Sequence, residues 1–405
     1  MNRIGISVLA ILAATPALAG THTIEPGEGA QERLQEALIL AEPGDEIVLG
    51  AGRFELTDGL SLDVDSVTIR GAGPGESVLD FTSQEGSGEG LLVTSDFVTL
   101  RDFAVENPKG DGIKSKGADA IVYDQIRVTW TGGPLSTNGA YGIYPVESTG
   151  VLVSRSEVSG ASDAGIYVGQ SRDITVRESV VHQNVAGIEI ENSRNAIVEH
   201  NLATHNTGGI LVFDLPGLPV MGGGDVVVRE NLVAANDVDN FAPPGNIVGG
   251  VKRGTGILVM ANDNVLVKDN LLAENDTAQI MVVAYTLSFD DERYNPYPRN
   301  VVIGENLYED GGRAPDLDGA EQLLAAFGGA LPDVLWDGLQ DGDTIALSAV
   351  EGTAGWSLNL ESQGAGLDQA KPGPLNVPQP EHAFPEDQVT GAPEELSQRI
   401  EDDEA

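Results

Sequence analysis

The sequence contains no cysteine. That excludes a disulfide framework, a thiolate zinc site, an iron–sulfur cluster, covalently attached c-type haem and a lipidated cysteine anchor. Basic residues are scarce: 22 Lys plus Arg stand against 63 Asp plus Glu, for a formal net charge of -41. A surface of that sign does not neutralise phosphates, so nucleic acid is not expected as a partner and anionic membranes are disfavoured. Aromatic residues make up only 5% of the chain, and no apolar run beyond the N-terminal segment approaches the length of a spanning helix. Glycine is what the chain has in excess, 51 of 405 residues, while hydrophobic content stays at 41%. The composition is that of a folded chain with many turns, neither disordered nor collagenous. Its acidity suits solubility in a salty environment or the binding of a cation, calcium being the hard ion that acid-rich loops such as Asp237-Val238-Asp239 would take.

Met1-Asn2-Arg3, the apolar stretch Ile4 to Ala14 and the small-x-small triplet Ala17-Leu18-Ala19 read as a secretory signal over residues 1–19, cut after Ala19. Export without disulfides points to a bacterial periplasm or exterior.

One pattern recurs through the middle of the chain: a polar residue, an apolar-x-apolar strand, charged residues, then Asn or Ser. It stands at Asp173-Ile174-Thr175-Val176, Asn195-Ala196-Ile197-Val198, Asp225-Val226-Val227-Val228, Asn264-Val265-Leu266-Val267 and Asn300-Val301-Val302-Ile303, with earlier copies from Val67, Val98, Ile121 and Val151. A second strand opens with Gly-Ile at residues 112, 142, 165, 187, 209 and 256, and keeps pace with the first. A unit of about 22 residues with three short strands is one rung of a parallel β-helix, an all-β solenoid; the fixed Leu framework of a leucine-rich repeat is absent. Nine to ten coils fit the spacing. Ser156, Ser179, Asn201, Asn231, Asn270 and Asn306 form a column suited to left-handed turns and to hydrogen bonding along the stack.

A solenoid must cover its ends. Residues 30–41 have helical periodicity, with Leu34, Ala37, Leu38 and Ala41 on one face, and predict an N-terminal cap. The solenoid is expected over residues 20–312, a small C-terminal capping unit over 313–371, and a disordered acidic, Pro-rich tail over 372–405.

The capping helix, the Pro43-Gly44-Asp45 turn, Ile47-Val48-Leu49, Gly52-Arg53-Phe54 and the Asn-punctuated coils together resemble the right-handed parallel β-helix proteins of the pectate-lyase-like superfamily, over roughly residues 25–312. Over the whole chain the resemblance is to a group of exported bacterial parallel β-helix repeat proteins defined by their fold. It implies a right-handed solenoid whose substrate lies across the outer face of one parallel sheet, here that of the Gly-Ile strands. Strand alternation turns Ile113, Ile143, Ile166, Ile188, Ile210 and Ile257 inward. The next residue of each coil then points out, in a column Lys114, Tyr144, Tyr167, Glu189, Leu211, Leu258, with a second column Lys116, Val146, Gly169, Glu191, Phe213, Met260.

Aromatic rings beside ionisable groups suit saccharides, because a ring face takes sugar C–H groups while Lys and Glu address hydroxyls or carboxylates. An ordinary solvated sheet face would carry the same residues. Four inserted loops, from Trp130 to Tyr141, Val238 to Arg253, Leu215 to Gly224 and Tyr285 to Arg299, are placed to wall a cleft, with Trp130 and Tyr141 overhanging Lys114 and Tyr144. For a uronate-containing glycan, lyase or epimerase chemistry would use Lys114 as base, Tyr144 or Tyr167 as acid and Arg253 as carboxylate partner, with Glu189, Trp130, Tyr141, Lys252 and Arg253 binding substrate. The apolar half of the two columns requires a cover.

Known enzyme signatures are missing: there is no Asp-Pro-His-Asp, no Arg-x-Pro-x-x-Arg and no paired Asp at the positions a polygalacturonase needs. Three readings therefore stand: a non-catalytic protein that binds a saccharide or envelope glycan, a polysaccharide lyase or epimerase, and a non-enzymatic accessory protein of a periplasmic redox or metal-loading system. No cofactor is evident in the sequence.

Overall fold

The computed structural model describes residues 19–86, 88–365, 367–380 and 384–401. Apart from Ala19, the expected secretory leader lies outside the described residues. Among them no helix is long and apolar enough to cross a membrane.

Most coils contribute three strands, as the spacing predicts; in two of them the first two strands run on as one, Thr99–Glu106 and Ile121–Thr129. Representative coils run Thr149–Ser154, Glu157–Ser159 and Ala164–Gly169, then Arg172–Arg177, Val180–His182 and Ala186–Glu191. Strands of successive coils pair in parallel with their equivalents, Ile174 with Ala196, Val181 with Ala203 and Ile188 with Ile210. The inward Ile column is fully buried. It joins Val158, Val181, Val198, Val228 and their equivalents in one continuous core along the axis.

Turn chemistry holds the rungs in register. Asp173, Asn195, Asp225, Asn264 and Asn300, the polar residues that open each repeat, take positive φ of 49–58°. A second left-handed column falls on Arg155, Glu178, His200, Glu230 and Asp269, one residue before the Ser/Asn column expected to carry it. The Ser/Asn side chains face inward instead and bond along the stack. Asn201 Nδ2 donates to Asn231 Oδ1, Asn231 to Asn270 and Asn270 to Asn306, each at 3.0 Å.

A second ladder, Asn184, Asn206, Asn236 and Asn275, runs beside it fully buried. Its signal in the sequence is an Asn or Ser followed by Asn five residues later, in Ser179/Asn184, Asn201/Asn206, Asn231/Asn236 and Asn270/Asn275. The same ladder explains the Gly of Gly-Ile: a Cβ on Gly209 would meet Gly256 O at 2.6 Å and Asn236 Nδ2 at 2.9 Å.

Replacing Asn231 by Ala removes the acceptor for Asn201 N and Nδ2 and the donor to Val198 O. Buried groups left unpaired cost about 1–3 kcal/mol each, so Asn231→Ala is expected to lose about 3 kcal/mol in urea unfolding. Asn306→Ala, at the half-buried end of the ladder, should lose about a third of that.

Helix α1 (Ala30–Leu40) caps the first coil with Ala30, Leu34 and Leu38 buried. The C-terminal region differs from expectation. Residues 313–371 include helix α2 (Ala320–Ala326), but their strands Val334–Trp336, Leu347–Ala349 and Gly355–Ser357 continue the existing sheets rather than forming a separate unit. The Gly-Ile sheet thereby reaches twelve strands, the last of them antiparallel.

The tail expected to be disordered is docked where it is described. Phe384 and Val389 pack on Val227, Leu266 and Val302, and helix α3 (Glu394–Glu401) buries Leu396 and Ile400 against Val122 and Leu152. Glu386 joins Arg229 and Lys268 at 2.7 and 2.8 Å. Composition averages hide this, because four well-spaced apolar side chains meet outward apolar residues of the strands beneath them.

Candidate functional site

The two outward columns of the Gly-Ile sheet stack as expected: Tyr144 lies opposite Lys114, Glu189 opposite Tyr167, Leu258 opposite Leu211, and Phe213 opposite Glu191. They do not form an open strip. Residues 235–253 fold back over the sheet, held by Asn240 Nδ2, which donates to Val248 O at 2.9 Å and Val251 O at 3.0 Å. Val248, Phe241 and Val251 of this loop cover Tyr167, Leu211, Phe213 and Leu258. On the far side, Asn192 bonds Leu215 N and O and Val220 O, and Tyr294 Oη donates to Asp214 O at 2.7 Å, drawing in the other two loops. The walls enclose a cleft of about 720 Å³ that reaches from Tyr144 to Leu360.

One end of the cleft is aromatic and acidic. The rings of Tyr141, Tyr144 and Tyr167 lie 4.5–4.9 Å apart, centroid to centroid, and Tyr167 folds over Gly169, where a Cβ would clash with it. Asp163, Glu189 and Glu191 join them. Burial pushes the Asp163 carboxyl up to about 7, against the opposing pull of the Asn246 amide and the Tyr141 hydroxyl. Glu191 is likewise pushed up to about 7 by burial, and Glu189, only 2% exposed, well above the ordinary range. Glu189 Oε1 has no hydrogen-bond partner. The Tyr141 and Tyr167 hydroxyls are raised by the same desolvation and by the neighbouring acids, and Tyr144 is pushed up to about 12. The other end is apolar, walled by Leu211, Phe213, Leu258, Met260 and Met281.

Tyr141, Tyr144, Tyr167, Glu189 and Lys252 of the expected site therefore meet in this cleft. Three residues do not serve as expected. Trp130 is buried in the main core, its Nε1 donating to Pro108 O at 2.7 Å, because its loop turns inward rather than over the sheet. Lys114 is held by Glu89 at 3.2 Å and Asp111 at 3.7 Å and stands over the Tyr144 ring, so it does not line the cleft. Arg253 turns away to Asp239 at 3.3 Å, with its N–H on Asp316, so no guanidinium awaits a uronate carboxylate.

Asp163, which lines the cleft, and Asp111, which pairs with Lys114 beside it, are acids that sequence reasoning missed. Their signal is an acid just ahead of Gly-Ile, in Asp111-Gly112-Ile113 and Asp163-Ala164-Gly165-Ile166. Glu191 appeared in the second column without a role.

Asp237 and Asp239, the acids singled out for a cation, are paired with His205 and Arg253. Among the described residues, Glu199, His200 and Glu230 alone bring three potential metal-ligand atoms within 4.8 Å, on the outer surface, and Glu199 is already bound by Arg229 at 2.7 Å.

The parallel rungs, the Asn ladders and the walled sheet face define a right-handed parallel β-helix. Residues 58–218 match the family model described as the right handed beta helix region. No curated protein matches the chain in sequence. Among solved structures, the chain is similar to the A-module of a mannuronan C-5 epimerase of Azotobacter vinelandii, at TM-score 0.52 and 14% identity over 82% of this chain and 94% of that one. It is similar to an alginate lyase of Paenibacillus sp., at 0.50 and 19% over 74% and 97%, and to a DFA-IIIase of Arthrobacter chlorophenolicus, at 0.51 and 13% over 81% and 94%. At these identities the likeness is one of fold.

Proposed function

We propose that this protein, exported to the periplasm or the exterior, binds a carbohydrate in the cleft over the Gly-Ile sheet. The observation that carries the reading is the meeting, in one 720 Å³ cleft, of three tyrosine rings with the buried carboxyls Asp163, Glu189 and Glu191. Ring faces take the apolar C–H surface of a sugar, and carboxyls that keep a proton near neutral pH can both donate and accept hydrogen bonds to hydroxyls. The solved neighbours named as a mannuronan epimerase and an alginate lyase make glycans the first ligand class to test. Processing of the bound glycan would draw on the same groups, since carboxyls poised near 7 are suited to general acid–base work.

The test is calorimetric titration of the mature protein with neutral, amino-substituted and uronate oligosaccharides, followed by mass spectrometry of each mixture. Glu191→Gln is expected to weaken binding at least tenfold, as loss of a buried charge-capable partner does. Wild-type protein that retains no glycan at millimolar concentration would sink the reading. New products that vanish in the variant would add catalysis to binding.

A further inference from the structure

We infer that the glycan taken up by the cleft carries a protonated amine, seated among Asp163, Glu189 and Glu191 beside the tyrosine faces. This rests on the carbohydrate reading above and names the substrate class.

The first observation is the imbalance of charge-bearing groups. Among the described residues, none of these three acids forms an ion pair, and Lys252 is the single base lining the cleft. Lys114, the base of the same column, is taken by Glu89 and Asp111, and Arg253 by Asp239. A polyuronate would meet three carboxyls and no guanidinium in a chain of net charge -41, whereas a cation enters with the overall field and is stabilised as the carboxyls ionise.

The second observation is independent of charge. Glu189 Oε1 is buried, lacks any hydrogen-bond partner and belongs to a side chain that lines the cleft. A buried acceptor without a donor is costly, and a ligand N–H would relieve it. An ammonium on a sugar ring brings three donors, enough to reach more than one carboxyl at once. A bare metal ion fits less well, because these acids do not bring their oxygens within the 4.8 Å grouping seen at Glu199, His200 and Glu230. The tyrosines already accept one cation: Lys114 Nζ stands 4.8 Å from the centre of the Tyr144 ring. An ammonium against the other faces would gain the same attraction. Beyond the acids, the wall of Leu211, Phe213, Leu258 and Met281 takes the uncharged part of the ligand.

Binding of the amine favours the ionised carboxyls, which hold their protons near neutral pH because they are buried. Association should therefore release protons.

The experiment titrates the mature protein at about pH 7 with a glucosamine tetramer, its fully N-acetylated counterpart and a mannuronate tetramer, in buffers of different ionisation enthalpy. The free-amine oligomer is expected to bind at least tenfold more tightly than the acetylated one, with proton release. In Glu189→Gln and Glu191→Gln that preference should shrink at least fivefold. Thermal unfolding of both variants guards against misfolding as the cause. Equal affinity for free and acetylated oligomers, unchanged in the variants, overturns the amine assignment and leaves the carbohydrate reading intact. Tighter binding of the mannuronate oligomer does the same. Absence of binding to all three overturns both.

Discussion

Raising the pH from about 4.5 to about 8 is expected to lower the unfolding free energy by on the order of 5 kcal/mol, the reverse of what paired surface acids produce. Burial pushes Asp163 and Glu191 up to about 7, Asp111, Asp214 and Asp337 up to about 6, and Glu189 well above the usual carboxylate range. Each of these folded-state values lies above that of the unfolded chain. Between about pH 4 and pH 7 the native state thus keeps protons that the unfolded state has released, so stability falls through that window and levels off above it. A tenfold weakening of an acid on folding corresponds to about 1.4 kcal/mol, and neighbouring acids share the effect rather than adding in full.

Urea unfolding at the two pH values measures the loss. Repeating it in about 1 M salt separates the buried acids from general repulsion in a chain of net charge -41, because salt screens the exposed charges and not the buried ones. Glu189→Gln should recover about 1–2 kcal/mol at the higher pH and little at the lower. Stability that rises across the window would show that these acids are paired or wet. The same variant is expected to weaken amine binding, so the site holds a cost in the free protein that its ligand removes.

Leu396→Asp is expected to release the C-terminal segment from the solenoid. Leu396 is fully buried in α3 against Val122 and Leu152, and an unpaired carboxylate there must be desolvated or the helix must leave. Together with the lost contact this costs about 3 kcal/mol or more, which multiplies the undocked fraction by more than about a hundred. Hydrogen exchange over residues 394–401 should accelerate by that factor, while the central coils, held by the Asn ladders, keep their protection. Glu386→Ala, which removes one acidic partner from each of Arg229 and Lys268, should act in the same direction with a smaller effect. Unchanged exchange in Leu396→Asp would mean that the segment is held by something other than its apolar face.

Legibility followed the range of the interactions. The fold could be read because each coil repeats one local set of rules: left-handed residues at the turns, inward aliphatics at alternate positions, and glycine where the next rung's carbonyl approaches. Tyr141, Tyr144, Tyr167 and Glu189 followed from the same alternation once the face of Ile143 and Ile166 was known. Trp130 misled because an aromatic residue at the mouth of an insertion looks like a lid, and only the path of residues 131–140 sends it into the core. Lys114 misled because its partner Glu89 belongs to the preceding coil, in a stretch where the repeat is weakest. Composition misled for the tail, since a few anchoring side chains among many acids leave the average unchanged.

The sequence by itself determined the solenoid, its period, its N-terminal cap and which side chains stand on which face of each sheet. Those are properties of the backbone and of residues one coil apart, and each coil states them again. Tertiary structure alone decided that the Gly-Ile face is roofed by residues 235–253, that three of its acids are buried while Lys114 and Arg253 are paired with other acids, and that Asn195 and Ala120 receive Thr390 and Arg399 from the far end of the chain. Desolvation and ion pairing depend on what comes to lie above a side chain, and here that is set by loops and a tail that belong to no repeat.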